Sequence, residues 1–146
     1  MKYNCSIKIN KPLEEVVKLW EDESNFHFWQ DGFQSIELIS GNKNEEGSVS
    51  QILIQQGNMK IELEETILVN NLPKEKTAKY VHKHMTNTQT TKFVAVDENN
   101  TEYISEVEYT KFNGITLKIM AKLFPEKFKS QSEKWMNQFK VFTESI

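Results

Sequence analysis

Tyr80, His82 and His84 alternate through the segment KYVHKHM, so on an extended strand all three share one face while Lys79 and Lys83 take the other. Two imidazoles at i and i+2 can ligate a metal, and either can shuttle a proton near neutral pH. No third ligand stands at a matching position, so no metal site is predicted. Glu65 joins the same face if its strand is regular, and a hairpin connection of about four to six residues brings it near Tyr80 or His82. A carboxyl beside a His or Tyr in an apolar cavity has a shifted proton affinity and can do acid or base work. A bulge at Glu64 and Glu65 would turn Glu65 outward instead; both arrangements stay open. The simpler reading of the histidines is hydration at the open end of a sheet, without chemistry.

The strands that must position these groups can be checked by register. A two-residue turn at Thr86 and Asn87 pairs Met85 with Thr88, His84 with Gln89, His82 with Thr91 and Tyr80 with Phe93. Joining the next two strands through Glu98 to Asn100 sets Lys92 across from Glu106 and Phe93 across from Ser105. Both pairings put Lys79, Lys83 and Lys92 on one wet face. On the preceding strand Ile61, Leu63 and Ile67 alternate with Lys60, Glu62, Glu64 and Thr66 in the same sense. Four consecutive strands therefore share a charged outer face and a mixed apolar and polar inner face. Gln89, Thr91, Phe93, Tyr103, Ser105 and Tyr109 fall on the inner one, where they are candidates to contact a ligand, although tyrosines can also fill such a space unaided.

All five glycines fall between segments with regular patterning. Between them the sequence predicts strands near Lys2 to Ile9, Phe33 to Ser40, Ser48 to Gln56 and Met59 to Val69, then Thr77 to Met85, Thr88 to Val96 and Glu102 to Phe112. Two short helices interrupt this run between Asn10 and Phe33. Asn10 can cap the first, Pro12 suits its first turn, and Leu13, Val16, Val17 and Trp20 form one apolar face. Phe26, Phe28 and Trp29 follow; so many rings in so short a segment predict packing on something concave. After Gly114 the period changes to 3.6, with Phe124, Phe128, Gln131, Trp135, Phe139 and Phe142 at steps of three or four. Pro125 predicts a restart between a first piece, Ile115 to Leu123, and a long amphipathic helix. That aromatic stripe reads as packing against a sheet.

One domain spanning 1–146 is expected from the length. Cys5 has no partner for an internal disulfide and reads as a small packing residue beside Tyr3, Ile7 and Ile9. The opening residues alternate where a signal peptide would be apolar, so a cytoplasmic location is expected. No apolar run approaches the roughly 20 residues of a membrane span. All 18 basic residues are lysine, and the net charge is −3. Without arginine the chain lacks the usual bidentate grip on phosphate and guanine edges, which argues against nucleic-acid binding. There is no phosphate-cradling glycine loop, zinc spacing or nucleophile elbow, and no cofactor is implied. Val94 and Ile104 point outward, but isolated surface apolar residues are common, and the oligomeric state is left open.

A strand, two short helices, six antiparallel strands and a long C-terminal helix resemble the START-like, polyketide-cyclase-like superfamily of ligand-binding proteins. The likeness is carried by SIKIN, KPLEEVVKLW, NFHFWQDGF with the following SIEL, and EKWMNQFKVF, and it extends over essentially the whole chain. It implies the α+β helix-grip fold, a curved seven-stranded antiparallel sheet wrapped on the last helix. It also implies a cavity closed at one end by Trp20, Phe26, Phe28 and Trp29 and walled by residues such as Phe128 and Trp135. No catalytic residue carries over, because no family-specific catalytic motif is matched. The expected function is binding or transport of a small hydrophobic or amphipathic molecule, lipid-like or polyketide-like. One alternative is a cyclase or dehydratase using Glu65, His82 or His84 with Tyr80. The other is an interaction module resembling the chaperone-activating branch of the superfamily.

Overall fold

The computed structural model describes all residues from Met1 to Ile146. Its elements run β1 (Lys2–Ile9), α1 (Leu13–Glu21), a 3-10 turn (Glu23–Asn25), α2 (Phe26–Trp29), β2 (Phe33–Ser40), β3 (Val49–Gln56) and β4 (Met59–Asn71). They continue through β5 (Glu75–Val81), β6 (Met85–Asp97), β7 (Asn100–Phe112), α3 (Ile115–Leu123) and α4 (Glu126–Glu144). The seven strands form one antiparallel sheet in the order β1-β7-β6-β5-β4-β3-β2. The chain therefore descends the sheet strand by strand from β2, and only β1 is placed out of sequence, against β7.

The inner face of this sheet is divided. Over β1, β7 and β6 the helices sit directly on the strands: Cys5, Ile9, Val16, Trp29, Phe93, Tyr103, Met136 and Phe139 form a continuous buried cluster. Phe139 is its centre, fully buried and edge-on to both Trp29 and Tyr103. α4 reaches this half because it packs on β1 and α2. Over β2 to β5 the inner residues line a cavity that extends to Gln89 and Thr91 of β6 and Tyr109 of β7, and at the β2 end Phe26 of α2 meets Phe33 edge-on at 5.5 Å. At Gly32, just before β2, φ is +80° and a Cβ would fall 2.0 Å from the Gln55 carbonyl oxygen, so only glycine lets this corner close onto β3.

The hairpin register differs from the one expected. β5 and β6 turn at Lys83 and His84, not at Thr86 and Asn87, and Tyr80 lies across from Asn87, with Lys76 across from Thr91. The cause is remote in sequence. Asn113, at the end of β7, donates its backbone N–H to the His84 carbonyl and its Nδ2 to the Lys83 carbonyl, which ties down the tip. β6 and β7 also pair two residues away from the expected register, with Lys92 across from Ile104 and Phe93 across from Tyr103. Both slips are by an even count, so the residues that stay in the ladders keep their faces, while His84 passes into the turn. Lys92 still reaches Glu106 diagonally, at 2.6 Å on the outer surface.

Two local expectations fail at the helices. Asn10 does not cap α1; its backbone N–H donates to Glu144 Oε2 on α4, and the cap position is Pro12. Phe28 is 58% exposed and stacks on Phe142 at the outer side of α4, because one helical turn between Phe26 and Trp29 can turn only two of its rings inward. At Pro125 the chain restarts, separating α3 from α4.

Candidate functional site

The cavity has a volume of about 280 Å³. Its floor is the inner face of β2 to β5, where Ile36, Ile52, Ile54, Ile61, Leu63 and Ile67 supply an apolar surface. Trp20, Phe26 and Trp29 close the end beneath α1 and α2, and Gln131, Ser132 and Trp135 of α4 form the roof. The aromatic end is braced internally: Trp20 lies 6.5 Å from Trp29, and Phe26 meets Trp29 edge-on at 5.7 Å. Tyr3 and Ser132 hydrogen-bond at 2.7 Å, joining β1 to α4 at its edge.

Polar side chains share the lining, and those of Glu65, Tyr80 and Lys76 enter it together from β4 and β5. Glu65 faces inward, opposite Tyr80 in the β4–β5 ladder, and the Tyr80 hydroxyl donates to Glu65 Oε2 at 2.8 Å. The bulge in β4 falls between Ile67 and Val69, beyond Glu65, and so leaves its orientation intact. Burial raises the Glu65 carboxyl above the ordinary carboxylate range, against the opposing pull of the Tyr80 bond and the charge of Lys76. Burial, followed by the neighbouring Glu65 charge, pushes the Tyr80 phenol well up, so Tyr80 acts as a donor.

Lys76 enters the same space from β5. Its Nζ donates to Asn44 Oδ1 at 3.3 Å and lies 5.5 Å from the centre of the Trp20 ring. Burial lowers its pKa, opposed by Glu65, Glu21 and Glu23. Lys76 and Glu65 form no direct ion pair, although they line one cavity and feel each other's charge. The lysine thus keeps N–H donors, and the carboxylate keeps an oxygen, available to a third group. At the rim Lys43 meets Glu23 at 3.0 Å, linking the β2–β3 connection to the 3-10 turn. The indole N–H groups of Trp29 and Trp135 are buried without a protein acceptor.

Of the residues named from sequence, Trp20, Phe26, Trp29, Glu65, Tyr80, His82, Gln89, Thr91, Tyr109 and Trp135 line the cavity. Phe93, Tyr103 and Ser105 share the inner face but lie in the half of the sheet covered by helices, where Trp20 packs on Phe93 and donates to the Tyr103 hydroxyl at 3.1 Å. Phe128 packs against Tyr109 and Phe112 beyond the cavity wall. His84 is exposed in the hairpin turn, off the inner face, and its backbone N–H donates to His82 Nδ1 at 3.3 Å. That bond suits a neutral His82, whose pKa is lowered by burial and then by the charges of His84 and Lys83. No group of three or more His, Cys, Asp or Glu side chains gathers at metal-binding spacing. Sequence reasoning missed Lys76 and Asn44. Lys76 has the parity of Tyr80 and His82, but a strand starting at Thr77 leaves it outside the ladder; β5 starts at Glu75.

The chain and its architecture can be set beside known proteins. No protein-family model and no curated protein matches the chain. An aromatase/cyclase from Streptomyces superposes with a TM-score of 0.80 at 6% identity, covering 99% of this chain and 93% of that one. A START superfamily protein from Mycobacterium smegmatis gives 0.77 at 9% identity, with 99% and 97% covered. This chain has the helix-grip fold of START-like and polyketide-cyclase-like proteins. A protein from Thermus thermophilus shares it along 99% of this chain and 98% of its own, with a TM-score of 0.79 and 14% identity. At these identities the likeness defines the fold and leaves the site chemistry to this chain's own residues. No helix of the helix-grip chain is long and apolar enough to cross a membrane.

Proposed function

We propose that this protein is a non-enzymatic carrier or sensor of a small amphipathic molecule held between β2–β5 and α4. The observation that carries this reading is a cavity with an apolar floor on β2 to β4 and, on its wall, the buried polar groups of Glu65, Tyr80 and Lys76. Apolar walls supply affinity, and a few fixed polar groups orient what is bound. A volume near 280 Å³ stands at the small end of ligand pockets, which favours a compact ring system or short chain over a full diacyl lipid. Lys76 offers donors to a carbonyl or hydroxyl oxygen, and Glu65 offers an acceptor.

Native mass spectrometry of protein purified from its own host tests the proposal, together with thermal shifts across lipid and aromatic libraries. A retained mass, or a compound that raises Tm in the wild type but not in a Lys76→Met variant, is expected. No retained mass and no stabilising compound would overturn the reading.

The Tyr80 to Glu65 bond favours a second reading, an enzyme of cyclase or dehydratase type in which this pair and His82 exchange protons with the ligand. That reading requires a turnover lost on Glu65→Gln with the fold intact. Binding unaccompanied by any conversion of the retained molecule favours the carrier.

A further inference from the structure

α3 carries a surface that neither the core nor the cavity uses. Ile115, Ile119 and Leu123 recur every fourth residue along it and Phe124 follows at its end; they are 76%, 50%, 62% and 53% exposed. The helix already buries its other side, through Ala121 with Leu117 and Met120 partly covered. None of these residues lines the cavity. Single exposed apolar residues are ordinary, but three along one face of a short helix, with Phe124 just past its end, form a patch of the kind that marks an interaction site.

The charge beside the patch identifies its partner. Lys118 and Lys122 are exposed and lie next to Ile115 and Ile119 around the helix. Between residues 111 and 129 the chain holds five lysines and one glutamate, while the whole carries a net charge of −3. A second copy is a poor occupant, since two-fold pairing would bring these lysines against their equivalents. A surface that is apolar within and anionic outside fits both features. The isoleucines and Leu123 enter the acyl boundary, while the lysines lie along it with their ammonium groups among the head groups.

We infer that α3 is a docking surface for anionic lipid bilayers, lying in the plane of the membrane. The position suits a ligand-binding protein, because Asn113 fastens the start of α3 to the β5–β6 hairpin, one residue from cavity-lining His82. The inference stands without the proposed ligand, and its test needs none.

Co-sedimentation of the full chain with vesicles decides it, using phosphatidylcholine alone and equal parts of phosphatidylcholine and phosphatidylglycerol. Binding to the anionic vesicles only is expected. It should weaken steeply between about 0.1 M and 1 M salt, where the screening length falls from about 10 Å to about 3 Å. Each lysine near such a surface contributes about fivefold, so Lys118→Glu with Lys122→Glu should reduce binding at least about 25-fold. Ile115→Ser with Leu123→Ser should reduce it at least about tenfold. All four side chains are exposed, and unchanged circular dichroism and Tm would show the fold intact. Absent or equal binding to the two vesicles, or variants that bind like the wild type, would overturn the inference. So would a dimer in sedimentation velocity that the serine variant dissolves, since the patch would then be a self-contact.

Discussion

Replacing Tyr80 by Phe removes one hydroxyl and leaves the ring that packs in the cavity wall, so its cost isolates the bond to Glu65 at 2.8 Å. A hydrogen bond to a charged partner contributes about 1.5–3 kcal/mol, and that is the expected loss where Glu65 is ionised. The loss has a ceiling. Glu65 can take up a proton instead, at about 1.4 kcal/mol for each pH unit above its folded pKa, and burial has already raised that value. The folded Glu65 therefore binds its proton more tightly than the unfolded one, and its contribution to stability falls as pH rises from the ordinary carboxylate range through the raised folded value. Losing the Tyr80 bond raises the folded pKa further. Urea unfolding of wild type and Tyr80→Phe at about pH 5 and about pH 8 should show the larger penalty at the higher pH, equivalent to about 2–4 °C in Tm per kcal/mol. Glu65→Met and the double variant complete the cycle, and the double should recover much of the loss, because it leaves neither partner stranded. A penalty that is equal at both pH values, or single effects that simply add, would refute the coupling of burial and protonation at this pair.

Other sites give sharp outcomes. Phe139→Ala should cost about 3–5 kcal/mol in urea unfolding, because Phe139 is fully buried between Trp29 and Tyr103. Gly47→Ala should cost only about 1–2 kcal/mol, the backbone penalty for its φ of +86° with open space around it. Gly32→Ala should cost clearly more in the same assay, since its Cβ would strike the Gln55 carbonyl. Cys5 is buried and burial raises its thiol pKa, so it should resist a disulfide reagent in the native protein and react once urea unfolds the chain.

Much of the fold was legible because alternation and helical period are local properties of the chain. β1, β2 and α3 begin and end where their patterns do. The hairpin tip was not legible: Thr86 and Asn87 are reasonable turn residues, but Asn113 selects Lys83 and His84 from 30 and 29 positions away. Face assignments survived that slip because it was even, which is why Glu65, Tyr80, His82, Gln89 and Thr91 were found together. His84 was lost from the site because the slip moved the turn onto it. Phe93 and Tyr103 show a second limit. Strand period reports which face a residue occupies, whereas a helix packed above decides whether that face is cavity or core. Lys76 shows a third, because a lysine at a strand end reads as solvated until Trp20 and Asn44 are seen around it.

The central claim is that the space between β2–β5 and α4 holds a small amphipathic molecule by its polar group. A crystal structure of the protein with the molecule it retains from its own cells, or with the best stabilising compound, tests this most directly. A ligand is expected beneath Trp135 with a polar atom within hydrogen-bonding distance of Glu65 or Lys76. A ligand seated on the outer surface, or a cavity closed by its own side chains while the compound binds elsewhere, would contradict it.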